Sequence, residues 1–209
     1  MIELINDDCM NIMSSYDDQH FDLAIIDPPY RDAKDNDPNQ WMRAHSDDRM
    51  ANFGDKPTDE YFQELFRISK NQIIWGGNYF PYLWSKECKG FIFWYKHQKL
   101  PTFSDGEMAW TSFNKVARCF DYMYIGGAVK GKYEEKIHPT QKPVDLYKWL
   151  LHNYAEPGQK ILDTHLGSGS IGIACHYFEA DLVGIELDPV VYKKAKARID
   201  EQTRQETLF

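Results

Sequence analysis

Short apolar runs alternate with helical patterns along the whole chain, and this alternation limits the fold more than any other feature. The apolar runs predict strands at 2–6, 22–26, 72–75, 90–95, 107–112, 122–125, 160–162 and 182–185. The helical patterns predict helices at 58–69, 143–154, 170–178 and 189–201. Strands that alternate with helices are typical of a mostly parallel twisted sheet with helices on both faces, so we expect a Rossmann-like α/β fold.

The size and composition of the chain predict one domain spanning residues 1–209. A length of 209 residues is that of one α/β domain, and no apolar run reaches the roughly 20 residues of a membrane helix. The N-terminus lacks a basic segment of the kind that begins a secretory signal. The four cysteines are scattered without a Cys-x-x-Cys pair, so we expect no metal site and no disulfide framework, as in a reducing cytoplasm.

The segment 31–57 is the exception to the alternation. It is long, rich in Asp and Asn, and has no hydrophobic periodicity. Loops of this length in a compact domain are usually lids, binding loops or disordered segments. We expect a mobile loop over a site.

The distribution of charge changes what the net charge of −8 implies about partners. Residues 1–85 carry seven basic and sixteen acidic side chains, whereas residues 86–142 carry ten basic and six acidic ones. The basic stretch is interleaved with aromatic residues and could contact phosphates and unstacked bases. Ordinary strands separated by solvated lysines would give the same pattern, so both interpretations stay open. The aromatic residues concerned are Trp94, Tyr95, His97, Trp110, Phe113, Phe120 and Tyr122.

A first loop whose residues could take part in a reaction is Asp27-Pro28-Pro29-Tyr30, which follows the predicted strand 22–26. Two prolines stiffen the turn, and ligands of open α/β sheets bind beyond the carboxyl ends of strands. Asp27 and the Pro28 carbonyl could each accept one N–H of an exocyclic amino group, while Tyr30 stacks on the ring of a base. A proline turn with a solvated Asp would have the same sequence.

A second loop runs from a strand through glycines into a helix, over residues 161–172. Gly167, Gly169 and Gly172 let the backbone approach a ligand, and the helix N-terminus offers free N–H groups. Glu186 ends the next predicted strand, where an acid can accept both hydroxyls of a ribose.

The glycine spacing also matches dinucleotide-binding proteins, so a nicotinamide cofactor has to be weighed. Only 37 residues follow Gly172, too few for a second nucleotide-binding half. Asp163 stands between strand and turn, where it would repel a pyrophosphate but suit the amino group of a methionine moiety. These points favour S-adenosylmethionine.

The three motifs together resemble the permuted β-type amino-methyltransferases of DNA. In that family, as here, a catalytic loop comes first, a target-recognition region second, and a cofactor-binding glycine loop last. The recognition region corresponds to residues 96–137 and is short. The hexapeptide 138–143, His-Pro-Thr-Gln-Lys-Pro, resembles the family motif beside the methionine end of the cofactor. The resemblance covers almost the whole chain and implies a class I methyltransferase fold.

The resemblance also implies roles for individual residues. Asp27, Pro28, Pro29 and Tyr30 would be catalytic and hold the target base, and an Asp at the first position implies adenine N6 rather than cytosine N4. The run 103–110 resembles a segment of phage-like relatives and receives no role. Residues implied to bind S-adenosylmethionine are Asp8, Cys9, His138, Thr140, Lys142, Asp163, His165, Gly167, Ser168, Gly169 and Glu186.

One departure from the family pattern concerns the cofactor loop. The family commonly has Asp-Pro-Phe before its glycines, whereas this chain has Asp163-Thr164-His165. His165 is therefore either a ligand contact or a side chain fitted into the packing.

The resemblance implies double-stranded DNA as partner, a bacterial cytoplasm or that of a phage-infected host, and possible homodimers. An RNA methyltransferase, a cytosine-N4 enzyme and a non-catalytic nucleic-acid-binding subunit remain open alternatives. In the tail 203–209, residues 205–209 (Gln-Glu-Thr-Leu-Phe) resemble a peptide that binds the bacterial sliding clamp. A frayed helix end is the other interpretation of that tail.

Overall fold

Eight strands form one sheet in the computed structural model, which describes residues 1–30, 55–98, 104–124, 128–129, 132–133 and 136–204. The order of strands in space is β1-β10-β9-β2-β3-β5-β4-β6, and β7 and β8 form a separate two-stranded hairpin. The strands are β1 Ile2–Asn6, β2 Phe21–Ile26, β3 Ser69–Trp75, β4 Phe91–Tyr95, β5 Gly106–Thr111, β6 Arg118–Asp121, β7 Ala128–Val129, β8 Lys132–Tyr133, β9 Lys160–Asp163 and β10 Asp181–Glu186.

The helices of the described residues begin where capping chemistry favours it. Thr58 precedes the second helix and accepts the Tyr61 N–H through its hydroxyl, and Asp188 accepts two backbone N–H groups at the start of the last. The α-helices are α1 Cys9–Met13, α2 Asp59–Ile68, α3 Pro81–Trp84, α4 Val144–Tyr154, α5 Ser170–Phe178 and α6 Pro189–Gln202, and residues Gly77–Tyr79 form a 3₁₀ turn.

The sheet is parallel except at β5, which pairs antiparallel with both β3 and β4. The chain leaves β2 toward β3 on one side and leaves β9 toward β10 on the other, so the sheet has its topological switch point between β9 and β2. These two strands pair only through Leu23↔Ile161 and Ala24↔Leu162. The crevice beyond the carboxyl ends of strands at a switch point is where ligands of such sheets bind.

Two apolar layers cover the sheet, because successive strand residues point to opposite faces. On one face Ile25, Ile73 and Trp94 pack with buried residues of α4 and α5. On the other face Ala24 and Ile74 pack with buried residues of α2 and α3. Both layers are closed, so the α/β fold with helices on both faces that the alternation predicts is confirmed.

Most predicted elements form within two or three residues of their expected bounds, but the strand expected at 122–125 is wrong. The sixth strand is Arg118–Asp121, which pairs with β4, and residues 122–124 are irregular. Along β6 only Phe120 is buried, so this edge strand lacks the apolar run that marks a strand in sequence. The short elements α1, α3, β7 and β8 were not expected.

Residues 31–54 of the segment 31–57, parts of 96–137 and residues 205–209 lie outside the described residues. The expectations of a mobile loop and of a clamp-binding tail therefore stay predictions, as does the division of the chain into one domain. Within the described part of the chain, none of the helices is long and apolar enough to cross a membrane.

Candidate active site

The residues singled out in the sequence gather at one edge of the sheet. Asp27 follows β2, Asp163 ends β9, Glu186 ends β10, and Gly76 follows β3, all at carboxyl ends of parallel strands. Because β5 is antiparallel, its first residues reach the same edge, and this brings Glu107 there. The edge thus combines residues separated by up to 159 positions in sequence.

The catalytic loop candidate is held by its own side chains. The Tyr30 hydroxyl donates to Asp27 Oδ1 at 2.7 Å, and the Tyr30 ring stacks on Tyr79 with centroids 4.9 Å apart and planes 17° from parallel. Burial and the neighbouring Asp27 carboxylate raise the pKa of Tyr30 well above its usual value. Tyr30 therefore stays a neutral phenol that donates to Asp27, and its partner ring Tyr79 is half exposed.

Gly76 makes room for the Tyr30 ring. Its φ is +65°, and a Cβ at this position would lie 2.1 Å from Tyr30 Cε1. Its N–H donates to the Met108 carbonyl at 2.8 Å, which joins the turn to β5. Only glycine satisfies both the left-handed backbone and the close approach, so this turn sets the position of Tyr30. The sequence carries a signal for this turn, since two glycines follow a buried strand.

A chain of alternating charges extends from Asp27 into the sheet. The Lys142 ammonium donates to Asp27 Oδ2 and lies 3.1 Å from Glu107 Oε2, while Lys96 pairs with Glu107 Oε1. The Lys142 side chain is only 4% exposed. The family resemblance implies that Lys142 lies beside the cofactor, and its ammonium contacts Asp27 of the candidate catalytic loop. Glu107, which received no role from sequence, is part of the same chain.

The glycine loop adopts the conformation expected of a ligand cradle. Gly167 and Gly169 have φ values of +52° and +73°, and a Cβ on Gly167 would meet nothing closer than the His138 ring at 3.6 Å. Gly172 has a different purpose, because its Cβ would lie 2.6 Å from Ile199 of α6. Gly172 therefore serves helix packing, and so in part does Gly169, whose Cβ would lie 2.8 Å from the same Ile199 side chain. The segment from Gly167 to Gly169 is the candidate cradle.

Glu186 fixes the cradle to the next strand. One of its oxygens accepts the Gly167 N–H at 2.8 Å and the other accepts the Asp188 N–H at 2.9 Å. Burial raises the pKa of its carboxyl, although the two N–H groups partly offset this. Asp8, by contrast, is exposed and caps α1 by accepting the Met10 N–H at 2.8 Å. Burial and the Asp8 charge raise the pKa of the neighbouring Cys9 thiol to about 12, so Cys9 is a neutral thiol.

Asp163 is a buried acid at the carboxyl end of β9, next to the switch point of the sheet. Burial raises its pKa to about 8, in spite of an N–H bond from His165, and the charges of Asp27 and Glu186 add to the increase. A cation bound beside it would relieve this repulsion. S-adenosylmethionine carries a sulfonium and an ammonium, so the residues present fit that group on the chemistry of the acids and on the open glycine cradle.

His138, which is buried, and His165, which is partly buried, are neutral parts of this frame. His138 packs against the glycine loop and bonds the Thr140 hydroxyl through Nδ1 at 3.1 Å. His165 Nδ1 bonds the Thr164 hydroxyl at 2.9 Å, and that hydroxyl also bonds the Tyr61 hydroxyl at 2.6 Å. Burial lowers the pKa of each histidine to about 4. These contacts support the interpretation of His165 as a side chain fitted into the packing.

Ser168 takes part in a second set of hydrogen bonds that connects the cradle to the rest of the fold. Arg198 of α6 is buried and donates to the Ser168 carbonyl at 2.8 Å, and it also donates to the Ser170 hydroxyl at 3.0 Å. The Ser170 hydroxyl donates to the Lys142 carbonyl at 2.7 Å. One arginine therefore connects the cradle to the hexapeptide, and sequence reasoning missed it.

The aromatic residues of the basic middle stretch are largely core residues. Trp94, Trp110 and Phe120 are all less than a tenth exposed. Lys115 and Arg118 lie at the start of β6, the opposite edge of the sheet from Asp27. For Trp94, Trp110 and Phe120 the interpretation as ordinary strand residues is the correct one, because their side chains are buried and cannot stack on a base.

Comparison with known proteins decides between the families that the geometry allows. A sequence model described as DNA methylase, of the N6/N4 methyltransferase type, matches residues 91–197. The chain belongs to the N6/N4 DNA methylase family. The family and the DNA methylation activity expected from the motifs are confirmed, and S-adenosylmethionine is the cofactor of the family.

Individual relatives of the methylase cover nearly its whole length. It is 23% identical to the type II methyltransferase M.HpaI of Haemophilus parainfluenzae, over 95% of this chain and 74% of the relative. Among solved structures, the M1.HpyAVI complex with S-adenosylmethionine matches with a TM-score of 0.64 at 21% identity, over 95% and 100% of the two chains. The cytosine-N4-specific PvuII DNA methyltransferase matches with a TM-score of 0.62 at 13% identity, over 100% and 88%. These structural likenesses show a common fold.

Replacing Asp163 with asparagine should weaken cofactor binding and yet stabilise the ligand-free methylase. The folded-state pKa of Asp163 is raised from 3.8 to about 8. The buried Asp163 carboxylate therefore does not destabilise the folded protein below about pH 4. Its destabilising effect grows as pH rises and is complete above about pH 8. We expect a gain of about 1–3 kcal/mol in the free energy of unfolding at pH 8. Urea unfolding at pH 5 and pH 8 tests this, and an equal effect at both pH values would contradict it.

Proposed function

We propose that this DNA methylase transfers the methyl group of S-adenosylmethionine to the N6 amino group of an adenine flipped out of DNA. The observation that supports this best is the position of Asp27. Its carboxylate stands at the switch point of the sheet, across the crevice from Asp163 and the glycine cradle. An amino group bound to Asp27 is thereby directed toward a methyl donor bound at Asp163.

On the base side, the residues of the loop at 27–30 bind and polarise the amino group. Asp27 and the Pro28 carbonyl each accept one amino N–H, which draws the nitrogen toward sp3 geometry and frees its lone pair. Tyr30 and Lys142 occupy one lone pair on each Asp27 oxygen, and each oxygen keeps another for the substrate. The stacked rings of Tyr30 and Tyr79 provide an aromatic surface for the base.

On the cofactor side, the bound group supplies an electrophilic methyl on its sulfonium. Asp163 and the Gly167–Gly169 backbone bind its methionine end, and Glu186 accepts the ribose hydroxyls, each of its oxygens having a free lone pair. Asp8 and Cys9 lie by the adenine, with Thr140 and His138 closing the cradle. Orientation and hydrogen-bond polarisation, without a covalent protein intermediate, then account for catalysis. The target atom is unreachable inside the base stack, so the base must be flipped.

Three alternatives differ in the product they predict. Cytosine N4 offers the same exocyclic amine, and RNA offers the same adenine. A non-catalytic subunit would bind cofactor and nucleic acid without any turnover. Asp at the first loop position, with both loops intact, favours adenine and catalysis.

One incorporation experiment separates these alternatives. Purified protein is incubated with labelled S-adenosylmethionine and with duplex DNA, single-stranded DNA or RNA of mixed sequence, and the modified nucleosides are then identified. We expect N6-methyladenine from duplex DNA. Label in N4-methylcytosine, label mainly in RNA, or cofactor binding without any product would each support one rival and reject the adenine assignment.

We further propose that residues 205–209 bind the bacterial sliding clamp. Leu208 and Phe209 would insert into an apolar groove of the clamp as two anchors. Deleting both should abolish co-elution with the clamp and leave methyl transfer unchanged. Undiminished co-elution of the shortened chain would reject this role. Dimerisation remains a prediction from the family resemblance, which a light-scattering mass in solution tests.

A further inference from the structure

The strongest unassigned feature is the buried chain of charges behind Asp27. Tyr30, Asp27, Lys142, Glu107 and Lys96 follow one another, each in contact with the next. Lys142 at its centre is buried, with 4% of its side chain exposed, whereas the side chains of Asp27, Lys96 and Glu107 are partly buried, at 17%, 18% and 26% exposed. Two carboxylates and two ammoniums alternate, so its formal charge is zero. The proposed mechanism uses Asp27 and leaves Glu107 without a purpose.

Electrostatics explains what Glu107 does to its neighbours. Burial alone would raise the pKa of Glu107, but the ammoniums of Lys142 and Lys96 outweigh it and lower that pKa to about 2. Burial alone would lower the pKa of Lys142, but the carboxylates of Asp27 and Glu107 outweigh it and raise that pKa. Each buried charge is therefore stable only because its partners are charged.

We propose that Glu107 is a positioning residue for methyl transfer, which keeps the Lys142 ammonium charged and aimed at Asp27. Glu107 touches neither base nor cofactor and acts through Lys142. Held between two carboxylates, the ammonium fixes the rotamer of Asp27 while the amino group of the base takes the remaining lone pairs. This inference rests on the proposed function in that Asp27 binds the target amine.

The geometry supports a role beyond general stability. A single lysine could have paired with Asp27 alone, but Glu107 reaches the site edge from β5, the one antiparallel strand of the sheet among the described residues. A second lysine, Lys96, is then needed to balance Glu107, and its ammonium also lies over the Trp94 ring, 4.5 Å from the centroid. Replacing such a network by apolar side chains is often neutral or stabilising. Stability alone therefore does not account for this arrangement.

The test compares Glu107→Gln with wild type in single-turnover methyl transfer to DNA from pH 6.5 to 9.5. Without Glu107, Lys142 loses a partner and its pKa falls, so the variant should lose Asp27 orientation as pH rises. We expect a rate about 10–100 times below wild type at pH 9.5 and within about threefold of it at pH 6.5. The titratable groups around the Lys142–Glu107 pair, whose effects are common to both proteins, are Asp27, Tyr30, Lys96, His138, Tyr147 and Asp163.

Two matched variants separate positioning from loss of structure. Glu64→Gln removes a partly buried carboxylate that pairs with Arg67 on α2, far from the site, and should match wild type at every pH. Glu107→Asp keeps the charge on a shorter side chain. Its rate of methyl transfer should be about threefold to tenfold below wild type, and the deficit should not diminish at pH 6.5. Glu107→Asp carries the test alone if the glutamine variant does not fold, and a wild-type rate would then overturn the proposal.

A double-mutant cycle with Lys142→Gln gives the decisive comparison. If Glu107 acts through Lys142, Glu107→Gln should cost less than about twofold in the Lys142→Gln background. Additive losses, or a Glu107→Gln deficit equal at every pH, would overturn the proposal. Product analysis of the wild type separates this from failure of the proposed function. Label on cytosine or RNA would reject the adenine assignment. The rates of the variants relative to wild type would then be measured on that methylated product, and the same outcomes would test the role of Glu107.

Discussion

Asp27→Ala should reduce methyl transfer by about 10²- to 10³-fold or more while leaving the affinity for S-adenosylmethionine within about twofold of wild type. The variant removes the acceptor that polarises the amino group, and Lys142 then keeps only Glu107 as a partner. The residues proposed to bind the cofactor, Asp163, Gly167 and Glu186, are unchanged in this variant. Single-turnover transfer of labelled methyl, with cofactor affinity measured by calorimetry, checks both halves of the expectation.

The matched control is Asp22→Ala, at the opposite end of the same strand. Asp22 accepts from Lys70 at 2.7 Å and from the Lys160 N–H at 2.9 Å, so its loss affects only structure. We expect normal methyl transfer and a loss of about 1 kcal/mol in the free energy of unfolding. Near-normal activity of Asp27→Ala would remove Asp27 from the mechanism.

Gly76→Ala should lower the rate constant of methyl transfer about 100-fold, although Gly76 contributes no functional group. The new Cβ would lie 2.1 Å from Tyr30 Cε1, so the Tyr30 ring must move away from Asp27 and from its stack on Tyr79. A displacement of about 1 Å at a reacting group can cost about 10²-fold in rate. Cofactor affinity should change little, because the glycine cradle lies on the other side of the crevice.

Gly158→Ala separates the steric effect of Gly76→Ala from backbone strain. Gly158 has a φ of +81°, similar to the +65° of Gly76, but a Cβ there would have nothing within 4 Å. Both variants should lose about 1 kcal/mol in the free energy of unfolding, because an alanine must adopt the left-handed conformation. Only Gly76→Ala should lose activity. An equal loss in both variants would mean that Tyr30 is not positioned by this glycine.

The parts of the site that lie in continuous motifs could be predicted from the sequence. Asp27, Asp163 and Glu186 each follow or end a buried parallel strand, and strand ends of this type converge at one edge. The glycine cradle was predictable for the same reason, since a strand, a glycine turn and a helix are adjacent in sequence. The bounds of β1 and α5 agree with expectation because their apolar patterns are unbroken.

The features that escaped prediction depend on contacts between distant segments. Glu107 reaches the site only because β5 is antiparallel, which no local pattern indicates. The ion pairs of Lys142 with Asp27 and Glu107 could not be predicted either, because the two carboxylates come from distant strands. The apolar run at 122–125 predicts a strand, but backbone pairing with β4 is made by the more polar β6. Burial of Trp94 and Trp110 likewise follows from the sheet and not from their neighbours in sequence.

The order of strands also determines when each half of the site can assemble during synthesis. The half that would hold the target base, from β2 to β6, is complete once residue 121 has emerged. The cofactor half is not complete at that stage, because β1 pairs with β10. Ile2 can pair only after Leu182 has been synthesised. Contacts of such sequence separation form late and slowly. The first strand of the chain therefore stays unpaired until β10 has been made, and a nascent chain shortened within α5 would lack β10 and leave β1 without its partner strand, while β9 could still pair with β2.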